Sequence, residues 1–128
     1  MNTTGLIEII LYVADMDAQV KFYREMFELP VTYPAELDSY ADQFWVTLDA
    51  GSVILALHGG GQGRLGADTP KIVFGVADIH AAQAELLAKG VNISEVRTAA
   101  PGVWVCDGHD PEGNPFSIES HEVRANKK

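Results

Sequence analysis

The feature that most constrains this chain is a pattern stated twice. Residues 6–13, LIEIILYV, are rich in branched apolar side chains and read as a strand. The stretch DMDAQVKFYREMFEL at 15–29 reads as a helix. Asp15 is placed to cap it, and Val20, Tyr23 and Phe27 recur at helical spacing, with Phe22, Met26 and Leu29 widening the stripe. Pro30 prevents continuation. Strand-like runs follow at about 31–36, 43–49 and 52–58, the last two joined by the turn DAGS.

The same order then recurs. KIVFGV at 71–76 reads as a strand, and DIHAAQAELLAKG at 78–90 as a helix capped by Asp78 and stopped by Gly90. Further strands are expected at about 92–97, 102–107 and 115–121, the last pair joined by the turn DPEGN. Val13-Ala14-Asp15-Met16 is matched by Val76-Ala77-Asp78-Ile79, an offset of 63 residues. Self-similarity at a fixed offset marks a repeated structural unit. The expected architecture is therefore one α+β domain over residues 1–128, built from two βαβββ modules at about 5–58 and 71–122. Between them, GGGQGRLGADTP at 59–70 reads as a mobile connection. It lacks a following Gly-Lys-Ser/Thr and opens no helix, which argues against a phosphate-binding loop.

Composition narrows the class. The 128 residues suit one domain of modest core, and 47% hydrophobic with 21% charged residues is ordinary for a globular chain. No apolar run approaches the roughly 20 residues that span a bilayer. The N-terminal MNTTGLIEII has no signal-peptide pattern, and the single cysteine, Cys106, precludes an internal disulfide, so a cytoplasmic location is expected. The net charge of −9 argues against nucleic acid and anionic membrane as partners. It suits a solvated acidic surface, and is compatible with a cationic ligand.

Strand alternation sorts the side chains. Ile7, Ile9, Leu11 and Val13 share one face and are expected under the helix, while Glu8, Ile10 and Tyr12 share the other. In the last strand Phe116, Ile118 and Ser120 oppose Ser117, Glu119 and His121. Glu119, in a mostly apolar strand, needs a partner if it is buried. The offset of 63 places Lys71 at the second module's counterpart of Glu8, and Ala56 at the first module's counterpart of Glu119, with His58 the nearest candidate ligand beyond it. Tyr12, Tyr40, Phe44, Trp45 and Trp104 are the aromatics available to line a pocket for a flat organic molecule, the alternative being core packing. Cys106 has no base adjacent in sequence and does not read as a nucleophile. His109 is expected to help cap the DPEGN turn, and His80 and His121 to lie at the surface.

LYVADM at the end of the first strand, FYREMFEL, the second VADI and DPEGNPFSIE occur in the order and spacing of the vicinal oxygen chelate superfamily, which the chain resembles over nearly its whole length. That group includes glyoxalase I, extradiol dioxygenases, and fosfomycin- and bleomycin-resistance proteins. The resemblance implies two βαβββ modules forming a curved mixed sheet around a cleft, usually in a homodimer. Metal-dependent relatives carry His, Glu or Gln at four strand positions, which here hold Glu8, Ala56, Lys71 and Glu119. Lysine is a poor ligand, and a catalytic metal site normally has three protein ligands. The resemblance thus points to a charge cluster in which Lys71 lies between Glu8 and Glu119, with no functional metal. The alternative is a divalent metal held by Glu8, His58 and Glu119.

The favoured expectation is a metal-independent protein that binds a small organic molecule in its cleft, with Tyr12, His58, Trp104 and Tyr40 as ligand-binding residues. The alternative is an enzyme of the same superfamily, a lyase, isomerase or dioxygenase. Glu8 or Glu119 would be its general base, and Lys71 would stabilise developing negative charge. A third reading is a non-catalytic interaction domain using only the fold and dimer surface.

Overall fold

Two aspartates start the two helices. The Asp15 carboxylate accepts from the Ala18 N–H at 3.1 Å, and Asp78 accepts from the N–H groups of His80 and Ala81, each at 3.1 Å. Each satisfies backbone donors that a helix end leaves unpaired. The computed structural model describes residues 2, 6–35, 37–62 and 70–122, and the chain divides into compact units at 1–65 and 66–128.

The first unit runs β1 (Glu8–Tyr12), α1 (Met16–Met26), β2 (Val31–Tyr33), β3 (Trp45–Asp49) and β4 (Ile54–His58). The second runs β5 (Ile72–Gly75), α2 (Ile79–Ala88), β6 (Arg97–Ala100), β7 (Val103–His109) and β8 (Pro115–His121). The sheets have matching orders, β1-β4-β3-β2 and β5-β8-β7-β6. In each, the first strand lies parallel to the last, and the remaining pairs are antiparallel. Both units are therefore βαβββ and the sheets are mixed, as the repeat requires.

One face of each sheet is closed by its helix. In the first unit Leu11, Val46, Leu48, Leu55 and Leu57 are buried with Val20 and Tyr23 of α1, which packs on β4. In the second, Cys106, Phe116 and Ile118 are buried with Ile79 and Leu86 of α2. Removing a leucine from such a core costs about 2–5 kcal/mol.

Three local expectations need correction. Ile7 does not lie under the helix but is 67% exposed, because regular β1 pairing begins only at Glu8. The sixth strand is not 92–97 but Arg97–Ala100. The apolar residues there, Val91 and Ile93, are buried as irregular chain with a single bridge from Ile93 to Gly108, and the hairpin through Pro101-Gly102 pairs Arg97–Ala100 with β7 instead. The DPEGN turn is organised by Asp110, not His109. The Asp110 carboxylate accepts from the N–H groups of Glu112 and Asn114, both at 2.9 Å, and His109 is exposed. Of the glycine-rich connection, residues 63–69 lie outside the described residues.

Candidate functional site

The face of each sheet not covered by its helix carries the polar and aromatic side chains. In the first unit the β1–β4–β3 register aligns three rows across it: Glu8, Ile54 and Asp49; Ile10, Ala56 and Thr47; Tyr12, His58 and Trp45. The last row is the richest chemically. The His58 ring centroid is 4.8 Å from Tyr12, 4.9 Å from Phe44 and 5.9 Å from Trp45. Tyr12 and Phe44 are each 63% exposed.

Gly59 makes this grouping fit. A Cβ there would stand 2.8 Å from the Phe44 ring. Gly61 donates its N–H to the Val13 carbonyl at 2.9 Å, and a Cβ on it would meet Val13 backbone at 2.7 Å. The start of the glycine-rich segment is thus packed over the end of β1. The His58 Nδ1 lies 2.6 Å from the Gly59 carbonyl oxygen.

The equivalent face of the second unit is charged. Asp107 of β7 is paired in register with Ser117 of β8 and accepts its hydroxyl hydrogen at 2.6 Å. Arg97 donates to the same carboxylate from Nε at 3.2 Å and Nη2 at 2.9 Å, and Lys71 Nζ from 3.3 Å. Burial by itself would raise the Asp107 carboxyl, but the hydrogen bonds from Ser117, Arg97 and Lys71 outweigh it and hold the group at about 2. The Asp107 N–H is also satisfied, by Ser94 Oγ at 2.8 Å. Glu119 sits in the neighbouring row, between Gly75 and Val105, with His121 Nε2 at 3.6 Å. A Cβ on Gly75 would meet nothing within 4 Å, so the space beside Glu119 is open on that side.

The structure rearranges the expected set. Lys71 is bonded to Asp107 rather than Glu119, because it precedes β5 and lies level with the start of β8, whereas Glu119 aligns with Gly75. The counterpart of Glu119 is His58, not Ala56. Val13 N–H donates to the His58 carbonyl at 2.8 Å and Val76 N–H to the Glu119 carbonyl at 2.9 Å, while Tyr12 and Gly75 hold matching registers beside them. Loops of unequal length between the helix and the last strand shift the equivalence by two residues.

Tyr40 is buried against α1, its N–H donating to Asp17 at 2.8 Å and its ring lying under Arg24 at 5.9 Å. There it borders a pocket of about 340 Å³ with Arg24, Pro30, Val31, Leu37 and Asp38, on the helix side of the sheet. Trp104 pairs with Ser120 and so points to the face opposite Glu119. Cys106 is fully buried on that same side, and burial, then the neighbouring Asp107, pushes its thiol up, away from the reactive thiolate. Asp107, Arg97 and Ser117 were not singled out from the sequence. The one signal was an aspartate closing the apolar run GVWVCD, which, like Glu119, needed a partner.

The set Glu8, His58 and Glu119 does not fit a divalent metal. Glu8 and His58 lie at opposite ends of the β1–β4 ladder, four residues apart, or about 13 Å. Among the described residues no three His, Cys, Asp or Glu side chains are grouped to hold a metal ion.

A glyoxalase-like domain model matches residues 8–119, and the chain belongs to that family. Its fold is also that of solved structures. An antibiotic-binding protein from a Streptomyces species superposes with a TM-score of 0.75 at 17% identity, covering 95% of this chain and 99% of that one. A lactoylglutathione lyase from Agrobacterium tumefaciens gives 0.72 at 19% identity, covering 93% and 95%. A virulence protein from Salmonella typhimurium gives 0.70 at 22% identity, covering 94% and 99%. No curated protein sequence matches the chain. Among the described residues no helix is long and apolar enough to cross a membrane.

Proposed function

We propose that this protein binds a small, flat organic molecule on the open sheet face of its first unit, without the help of a divalent metal. The observation that carries this reading is the aromatic row. The rings of Tyr12 and Phe44, both exposed, and of Trp45 gather around that of His58. Exposed rings held by a sheet offer apolar area at small entropic cost, since they are already ordered. The fold shared with an antibiotic-binding protein agrees with such a role. The proposal extends to a cytoplasmic location and to the homodimer implied by the family, the latter checked by sedimentation velocity.

Trp45 lies 5.9 Å from His58 and serves as the reporter. Titration with a panel of planar organic compounds should change tryptophan fluorescence saturably, and Tyr12→Ala with Phe44→Ala should abolish the change. Absence of any response across the panel would reject the reading. Elemental analysis after dialysis against zinc, manganese and nickel should find no stoichiometric metal.

A metal-free enzyme is the second reading, favoured by Glu119, a half-buried carboxylate beside the open space at Gly75. In it Glu119 is the general base, and Lys71 would have to act while bound to Asp107. Glu8 becomes a contributing carboxylate of the first unit's open face. Loss of turnover in Glu119→Gln with retained ligand binding would distinguish the enzyme from the binder.

A further inference from the structure

We propose that His58 makes this face selective for aromatic ligands that carry a hydrogen-bond donor, such as a phenolic O–H or an indole or azole N–H. The inference rests on the binding reading above and names the ligand class it takes.

The argument begins with a backbone carbonyl. An oxygen of this kind can only accept, so the 2.6 Å contact between His58 Nδ1 and the Gly59 oxygen requires a hydrogen on Nδ1. A neutral imidazole has one donor and one acceptor nitrogen, so Nε2 then offers a lone pair. Among the described residues the hydrogen bond of the His58 ring is the one through Nδ1.

The ring cannot easily turn to exchange the two nitrogens. Tyr12 is tilted against it at 43°, and Phe44 and Trp45 meet it edge to face at 68° and 88°. Phe44 is in turn seated against Gly59, where even a methyl group would collide with it. The cluster therefore holds one acceptor nitrogen close to two exposed rings. A flat ligand resting on Tyr12 or Phe44 would displace water from Nε2. If the ligand brings a donor, the nitrogen is satisfied again. If it does not, the nitrogen is left desolvated and unpaired, and affinity falls.

The test uses matched probes, 4-methylphenol against 4-methylanisole and indole against 1-methylindole. Each pair differs by methylation of the donor alone. Affinities are read from amide and ring resonances of Tyr12, Phe44 and Trp45 in the full chain. The donor-bearing member should bind about tenfold tighter or more. His58→Phe, which keeps a ring in the row, should bring both ratios close to one. Ring nitrogen shifts of unmutated protein check the premise without any variant: hydrogen on Nδ1 and a lone pair on Nε2 support it, and the opposite tautomer overturns it. Equal affinities within both pairs, with the row resonances shifting, would overturn the selectivity and leave the binding reading standing. If no probe moves those resonances, both fall.

Discussion

Asp107→Asn removes one charge from a carboxylate of the second unit that ion pairs join to two cationic side chains, Lys71 and Arg97. The folded carboxyl lies at about 2, against an ordinary value of 3.8. At about 1.4 kcal/mol per unit the gross contribution is roughly 2 kcal/mol. The Asp107 side chain is 34% exposed, so solvent screening reduces this to about 1 kcal/mol. The folded value is depressed, so the contribution is fully present above about pH 4 and is lost as pH falls through about 2. Asparagine does not titrate. Urea unfolding at neutral pH should therefore show the variant less stable by about 1 kcal/mol. The gap between the two proteins should close progressively between about pH 4 and pH 2, with sulfate present to keep both folded. No gap at neutral pH, or one that persists undiminished below about pH 2.5, would refute the claim that Ser117, Arg97 and Lys71 hold the charged form.

Other outcomes follow from particular contacts. Gly61→Ala would bring a Cβ to 2.7 Å from Val13 backbone, which cannot swing aside as a side chain can. It should destabilise the protein by about 1–3 kcal/mol in denaturant, and an unchanged midpoint would mean this segment is not held against β1. Asp110→Ala strands the Glu112 and Asn114 amides and should cost about 1–3 kcal/mol, with Asp110→Asn recovering part of it. Cys106 is fully buried, so a thiol reagent should label the native protein only as fast as it unfolds; rapid stoichiometric labelling would contradict that placement.

The second half of DPEGNPFSIES poses the clearest case of what could be read from the chain and what could not. Alternation correctly put Ser117, Glu119 and His121 on one face, because the side-chain period of a strand is a local property. The functional neighbours of Glu119 were not legible. The offset of 63 made Ala56 its counterpart and the family resemblance set Lys71 beside it, whereas the sheet sets it beside Gly75 and makes His58 its counterpart. Asp107 and Arg97 are ten residues apart in sequence, and Lys71 is 36 residues from Asp107, so no local pattern linked them. Tyr40, expected to bind ligand, is buried instead, and its stretch ELDSYAD has no periodicity that would reveal this.

The sequence alone thus settled the repeated βαβββ order, the Asp15 and Asp78 caps, the DPEGN turn and the absence of an imidazole at positions 8 and 71. These depend on interactions between residues a few positions apart. Tertiary structure decided that Lys71 joins Arg97 and Ser117 around Asp107, and that His58 stands among Tyr12, Phe44 and Trp45. Strand register across the sheet makes those choices. It is set by loop lengths and by the burial of whole faces, so a shift of two residues that changes nothing local changes every neighbour.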